Sequence, residues 1–107
     1  MKHLTPLQWQ LLDMLPIGAE HPKKGAVIAQ RLNISMRALH DEIAYLVNTV
    51  GVPIGSSRRK PAGYYIIATD EELNATASAL EAQVLSEFKR INHLRSINLN
   101  NWWNAVG

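Results

Sequence analysis

A tight break at Asn33-Ile34 separates two segments of helical periodicity, and no other feature limits the fold of this chain as much. The preceding segment, roughly 25–32, predicts a short helix in which the small Ala29 permits close approach of a neighbouring helix. Ser35 has the side chain of an N-cap residue and predicts a third helix that runs to about Val50. Two helices joined by so short a connection have to cross at a steep angle.

The third helix is predicted to have two contrasting faces. Its apolar residues follow helical spacing and are expected to face the core: Leu39, Ile43, Leu46, Val47 and Val50. The residues between them form an outer face of mixed character: Met36, Arg37, His40, Asp41 and Ala44. Gly51 is expected to end the helix. The inner face belongs to a core under any interpretation, so only the outer face can indicate function.

The segment before these helices is predicted from caps and breakers. Thr5 and Pro6 favour the start of a first helix, because threonine caps and proline fits the first turn. Pro16 and Gly18 are expected to end it. Residues 17–24 are predicted to be a loop.

A hairpin is predicted after the third helix. Residues 52–54 are expected to form its first strand, and Pro53 favours an edge position because it cannot donate to a ladder. Residues 64–67 are rich in β-favouring side chains and predict the return strand. The connecting loop, 55–63, holds three consecutive basic residues: Arg58, Arg59 and Lys60.

Thr69 and Glu72 form a capping-box pattern that predicts a long last helix ending near Ile97. An apolar stripe advances along it by threes and fours, with one irregular step, through Leu73, Ala77, Leu80, Val84, Phe88 and Ile91. The helix either packs on its own domain or pairs with a second copy. We favour a homodimer with these six residues at its interface, because soluble monomers seldom expose so large an apolar patch. Trp102 and Trp103 in the tail either anchor it on a partner surface or are mobile.

Charge is distributed unevenly along the 107 residues. The net charge is only +2, which by itself is weak evidence for a nucleic-acid partner. Residues 21–65 carry seven basic side chains against two acidic ones, a net charge of +5, whereas the remainder carries −3. Positive charge is thus concentrated where the third helix and the hairpin loop are expected, as a polyanionic partner would require.

Composition disfavours several function classes. The chain has no cysteine, which excludes disulfides, thiolate metal ligands and cysteine nucleophiles. Its four histidines are scattered without ligand spacing, so we expect no metal site and no cofactor. No phosphate loop or nucleophile motif occurs. The acidic residues 70–72 are better explained by a favourable interaction with the dipole at the start of the last helix than by acid–base chemistry. We therefore expect no enzymatic activity and no small-molecule substrate.

The expected location is cytoplasmic. No run of apolar residues is long enough to span a membrane, and the first six residues do not fit a signal peptide. The lack of cysteine also suits a reducing compartment.

Residues 25–67 resemble the helix-turn-helix domains of biotin-repressor-type and related winged-helix regulators. The matching stretches are Ile28-Ala29-x-x-Leu32-Asn33-Ile34-Ser35-x-x-x-Leu39 and Gly51-Val52-Pro53-Ile54 followed by Gly63-Tyr64-Tyr65-Ile66. The whole chain is similar to small winged-helix proteins of bacterial phages and prophages. This resemblance implies a mainly α fold with a small β-hairpin: a winged helix-turn-helix domain (three-helix core plus wing) at 1–68, a long C-terminal helix at 69–97 and a tail at 98–107.

The resemblance also implies how such a domain would bind double-stranded DNA. The outer face of the third helix would enter the major groove and contact bases through Ser35, Met36, Arg37, His40 and Ala44. Basic residues around it would contact the DNA backbone: Lys23, Lys24, Arg31, Arg58, Arg59 and Lys60. The expected function is sequence-selective DNA binding by a bacterial or phage transcriptional regulator in the cytoplasm of the bacterial host cell.

One departure from the family pattern favours an alternative. Asp41 and Glu42 lie early on the third helix, where many relatives carry a basic residue, and the Asp41 carboxylate would repel phosphate. Together with the small net charge, they favour a protein-interaction module of a phage replication or packaging assembly that has kept the winged-helix fold. Binding to duplex DNA at low salt distinguishes the two interpretations.

Overall fold

A computed structural model describes residues 3–106, and Met1, Lys2 and Gly107 lie outside it. The predicted segments 1–68 and 98–107 therefore lie partly outside the described residues. The elements follow one another as α1 (Pro6–Met14), α2 (Gly25–Leu32), α3 (Met36–Tyr45), a π-helical turn (Leu46–Val50), β1 (Ile54–Ser57), β2 (Gly63–Ile66), α4 (Asp70–Ser96) and α5 (Trp103–Val106). This order confirms a mainly helical fold with a small antiparallel hairpin and a long C-terminal helix.

The first helix begins where its capping residue predicts. The Thr5 hydroxyl accepts a hydrogen bond from the backbone N–H of Gln8 at 3.1 Å, and the Gln8 side chain accepts one from the N–H of Thr5 at 2.9 Å. Pro6 lies in the first turn, where its missing N–H has no intrahelical partner to lose. Leu11 and Leu15 from the same segment are buried.

The core lies where the first three helices and the hairpin meet. Four of its side chains are fully buried: Leu11, Ile28, Leu39 and Leu46. Ala29 and Ile54 belong to the same buried cluster, and partly buried side chains such as Ile34, Ile43 and Tyr64 pack around it. One side of α3 is thereby bound to the other elements.

The α-helical part of the third helix is shorter than predicted. α3 ends at Tyr45, and the chain continues to Val50 as a π-helical turn in which the N–H of Gly51 donates to the carbonyl of Leu46 at 2.9 Å. The wider turn changes the helical phase, so the prediction that Val47 faces the core is wrong: its side chain is 37% exposed. Gly51 ends the turn with a φ of 92°, as expected of a terminating glycine.

The hairpin is confirmed, but its bounds differ from the prediction. β1 and β2 are antiparallel, and Ser57 pairs with Gly63 at the end next to the loop. The loop therefore spans only 58–62. The predicted first strand at 52–54 and loop at 55–63 are wrong, since β1 begins only where that strand was expected to end. β2 begins and ends one residue before the predicted return strand.

Gly55 explains why the first strand is hard to predict. Gly55, Ser56 and Ser57 are residue types typical of turns, yet they form most of β1. Gly55 is buried opposite Tyr65, and a Cβ added to it would lie 2.6 Å from the tyrosine ring. Glycine here makes room for an aromatic ring across the ladder instead of turning the chain.

The segment between α1 and α2 pairs with β2, so the prediction of a plain loop there is wrong. Gly18 donates to the carbonyl of Ile66 at 2.8 Å, and Lys23 and Tyr64 exchange two backbone hydrogen bonds of 2.8 and 2.9 Å. These bonds lie along the edge of β2 that β1 leaves open. β2 is therefore held on both edges, which fixes the hairpin to the helices.

The start of α4 is tied to the same assembly. The Thr69 hydroxyl accepts from the N–H of Glu72 at 3.2 Å, as the capping pattern predicts. The Glu72 carboxylate accepts from the backbone N–H of Ala68 at 2.8 Å and from that of Ala19, between α1 and α2, at 2.6 Å. These donors, Ala68 first and then Ala19, hold the pKa of Glu72 below its ordinary value.

The chain divides into two compact units, with the boundary between Thr76 and Ala77. The second unit contains the rest of α4, in which every side chain from Ala77 to Ser96 is exposed, and the short α5. At the start of α5, the rings of Trp102 and Trp103 stack with their centroids 4.0 Å apart. Among the described residues, no helix is long and apolar enough to cross a membrane.

Candidate nucleic-acid interface

Local interactions define where α3 starts. Ser35 caps the helix as predicted, because its hydroxyl accepts from the N–H of Ala38 at 3.0 Å. Asn33 takes a left-handed conformation with a φ of 55°, and the N–H of Ile34 donates to the carbonyl of Ala29 at 3.0 Å. The connection between α2 and α3 is therefore closed by its own hydrogen bonds.

The predicted base-contacting residues lie on the exposed side of α3. All five are exposed to solvent: Ser35, Met36, Arg37, His40 and Ala44. Leu39, next to His40 in the chain, is fully buried in the core. α3 thus has one side bound to the core, while its first turns are accessible to a partner.

Gly25 lies between the start of α3 and the end of β2 next to the hairpin loop. A Cβ added to Gly25 would lie 3.1 Å from the terminal methyl of Met36 and 3.1 Å from the ring of Tyr64. The first turn of α3 and the loop end of β2 are therefore neighbours. Burial raises the pKa of the Tyr64 hydroxyl above its ordinary value.

Basic residues from a second segment lie at the same place. Lys23 pairs through its backbone with Tyr64, and Lys24 is exposed at the N-cap of α2. A Cβ added to Gly63 would lie 2.4 Å from the carbonyl oxygen of Lys23, so the two backbones are in direct contact. The sequence shows that residues 23 and 24 are basic. Their proximity to the hairpin depends on the backbone pairing of Lys23 with Tyr64, which the predicted loop at 17–24 did not include.

The hairpin loop adds three exposed basic residues. We call the combined set the basic hairpin cluster: Lys23, Lys24, Arg58, Arg59 and Lys60. Arg31 is exposed in the last turn of α2, about 10 Å along the helix from Lys24. Arg31 is therefore not counted in this cluster.

The two carboxylates of α3 have different surroundings. The carboxylate of Glu42 accepts a hydrogen bond from the side-chain amide of Gln8 at 2.9 Å, which joins α3 to α1. Gln8 is 6% exposed and Glu42 is half-buried, whereas Asp41 is exposed. Glu42 is therefore held against α1, whereas Asp41 is exposed on the outer face of α3.

The residues predicted at a dimer interface are all exposed on α4. Leu73 lies in the first unit. The second unit holds the others: Ala77, Leu80, Val84, Phe88 and Ile91. Leu94 is exposed as well and continues the same side of the helix, although the predicted set ends at Ile91.

Within residues 3–106, no group of three or more histidine or carboxylate side chains could hold a metal ion. Comparison of the chain with known protein families, with curated proteins and with solved structures finds nothing that matches it. Function therefore has to be inferred from the exposed face of α3, the basic hairpin cluster and the apolar side of α4.

Proposed function

We propose that the first unit is a winged helix-turn-helix that binds double-stranded DNA, with α3 in the major groove and the hairpin loop as the wing. The contrast between the fully buried Leu39 and the exposed Arg37 and His40 on the same helix carries this proposal. A groove about 12 Å wide admits one helix, provided that the first turns of that helix are accessible.

The connections around α3 support this assignment. The hydrogen-bonded break at 33–35 orders the start of α3 directly after α2. β2 is paired on both edges, so the loop at 58–62 extends from an ordered base. Gly25 lies within contact distance of Met36 in α3 and of Tyr64 in β2. A helix and a basic loop that are neighbours can bind one stretch of duplex together.

In this proposal, the basic hairpin cluster provides affinity for DNA and the outer face of α3 provides selectivity for its sequence. The basic hairpin cluster has five basic side chains, which would neutralise phosphates whatever the sequence. On the outer face of α3, the Arg37 guanidinium can donate to guanine, and Asp41 can accept from the amino group of cytosine. The hydrogen bond from Gln8 to Glu42 favours binding because it holds one negative charge at the contact with α1.

A protein-interaction module is the second candidate, because Asp41 is exposed on α3 and the net charge is only +2. Such a module would use the same face of α3 on a protein surface. It would not bind random duplex DNA with the salt dependence of phosphate contacts.

A fluorescence anisotropy titration of a random-sequence duplex at about 50 and about 200 mM salt tests the proposal. If all five cluster residues contact phosphate, the logarithm of the binding constant falls with that of the salt concentration with a slope of about −4.5, or about 500-fold over this range. The double variant Arg59→Ala/Lys60→Ala should reduce the steepness of the slope by about 2.

The charge-preserving variant Arg59→Lys/Lys60→Arg is the matched control and should keep the wild-type slope. A slope that is the same in all three proteins would exclude the hairpin loop from the interface. No binding even at about 50 mM salt would contradict DNA binding and favour the protein-interaction module.

A further inference from the structure

The second unit presents an apolar side of α4 to solvent. Five apolar side chains, each between 44% and 61% exposed, follow one another at helical spacing: Leu80, Val84, Phe88, Ile91 and Leu94. We call this set the α4 stripe. Contiguous apolar surface of this kind is typical of a protein interface. The stripe itself does not identify the occupant, but the charges of the same helix do.

The charges of α4 are segregated along its length. All its acidic residues precede Phe88: Asp70, Glu71, Glu72, Glu81 and Glu87. All its lysines and arginines follow Phe88: Lys89, Arg90 and Arg95. Asp70, Glu71 and Glu72 in the first turn and Arg95 in the last turn interact favourably with the helix dipole. The segregation also makes α4 complementary to a reversed copy of itself.

From this complementarity we propose that two copies of the chain associate through the α4 stripe in antiparallel orientation. In a parallel pair, acidic ends would lie together and basic ends would lie together, and like charges side by side destabilise a helix pair. In an antiparallel pair along the stripe, Glu81 of each helix lies near Arg90 of the partner subunit, and the acidic first turns of the two helices lie at opposite ends of the pair. The inference does not depend on DNA binding by the first unit.

The stripe also defines a register. An antiparallel pair centred between Val84 and Phe88 brings Leu80 beside Ile91 of the partner subunit and Val84 beside Phe88 of the partner subunit. The four-residue steps on both sides of Val84 depart from a strict heptad, which favours a pair with little supercoil. Glu87 lies within the stripe and forms an ion pair with Arg90 of the next turn, which offsets its charge at the interface.

Disulfide trapping tests the orientation, because the chain has no cysteine of its own. Leu80→Cys protein mixed with tagged Ile91→Cys protein should form a mixed disulfide-linked dimer on mild oxidation. Neither protein alone should form one. A dimer linked through residue 80 alone and through residue 91 alone would show parallel pairing, and a dimer in solution without the mixed product would equally overturn the antiparallel arrangement.

Sedimentation equilibrium of the full chain tests whether the pair exists. We expect twice the mass of one 12.0 kDa chain, and Phe88→Glu should return the mass to that of one chain. Ala82→Glu places the same charge on the opposite side of α4 and should leave the dimer intact, so it is the matched control. Both side chains are exposed, and far-ultraviolet circular dichroism should stay unchanged in both variants.

Two results would contradict the proposal. A wild-type mass of 12.0 kDa at about 100 μM protein would mean that no dimer with a dissociation constant below this concentration forms. Equal dissociation in the Phe88→Glu and Ala82→Glu variants would mean that the α4 stripe is not the interface.

Discussion

The side-chain amide of Gln8 donates a 2.9 Å hydrogen bond to the carboxylate of Glu42. The carbonyl oxygen of the same side chain accepts from the backbone N–H of Thr5. One buried glutamine therefore completes the cap of α1 and also joins α1 to α3. This bond holds the carboxylate of Glu42 against α1, whereas Asp41 is exposed on the outer face of α3.

Replacing Gln8 should destabilise the first unit. Gln8→Ala removes a hydrogen bond to a charged partner together with half of the α1 cap, and we expect the free energy of unfolding to fall by about 1–3 kcal/mol. Gln10→Ala, an exposed position on the same helix, should change it by no more than about 0.5 kcal/mol. Urea denaturation measures both, and equal effects would mean that the bond to Glu42 does not stabilise the fold.

The π-helical turn predicts a large loss of stability at one residue and a small loss at the next. Leu46 is fully buried, so Leu46→Ala should lower the free energy of unfolding by about 2–5 kcal/mol. Val47 is 37% exposed, and Val47→Ala should lower it by less than about 1 kcal/mol. Thermal and urea unfolding of the two variants measure these losses. A loss of stability from Val47→Ala as large as that from Leu46→Ala would indicate a regular α-helix through this region.

Gly63 is required where the hairpin meets the segment before α2. Gly63→Ala would place a Cβ 2.4 Å from the carbonyl oxygen of Lys23, in addition to the strain of a φ of 146°. Gly51 has a φ of 92° but open space around it, so Gly51→Ala should cost only the backbone strain, about 1–3 kcal/mol. We expect Gly63→Ala to be the more destabilising in urea denaturation. The reverse order would contradict the close contact.

The lowered pKa of Glu72 predicts a pH-dependent contribution to stability. Its carboxylate is held charged in the folded protein, so its contribution is present above about pH 4.5 and is lost as the pH falls through the lowered pKa. Glu72→Gln should therefore lower the Tm at about pH 7, and this difference should shrink at about pH 3. Glu71→Gln, next to it and exposed, is the control. A difference independent of pH would rule out the carboxylate as its source.

Elements that begin at a cap could be predicted, because the information lies within three or four residues. Thr5, Ser35 and Thr69 each accept from a backbone N–H three residues later, and each precedes a helix. β1 could not be placed this way. Its glycine and serines look like a turn until Tyr65 is known to lie across from Gly55, a contact between residues ten positions apart.

The candidate site was predictable to the same extent. Helical periodicity is enough to show that Arg37 and His40 are exposed while Leu39 is buried. It does not reveal the partner of Glu42, because Gln8 lies 34 residues away in α1. The position of Lys23 beside the hairpin likewise depends on its pairing with Tyr64, which no local pattern reveals.

Methylation protection on a DNA fragment selected for tight binding tests the central claim most directly. Dimethyl sulfate modifies guanine at N7, which faces the major groove, and adenine at N3, which faces the minor groove. Wild-type protein should protect at least one guanine N7, and Arg37→Ala should lose that protection although it still binds through the basic hairpin cluster. Protection confined to adenine N3, or guanine protection that persists in Arg37→Ala, would contradict the insertion of the first turn of α3 into the major groove.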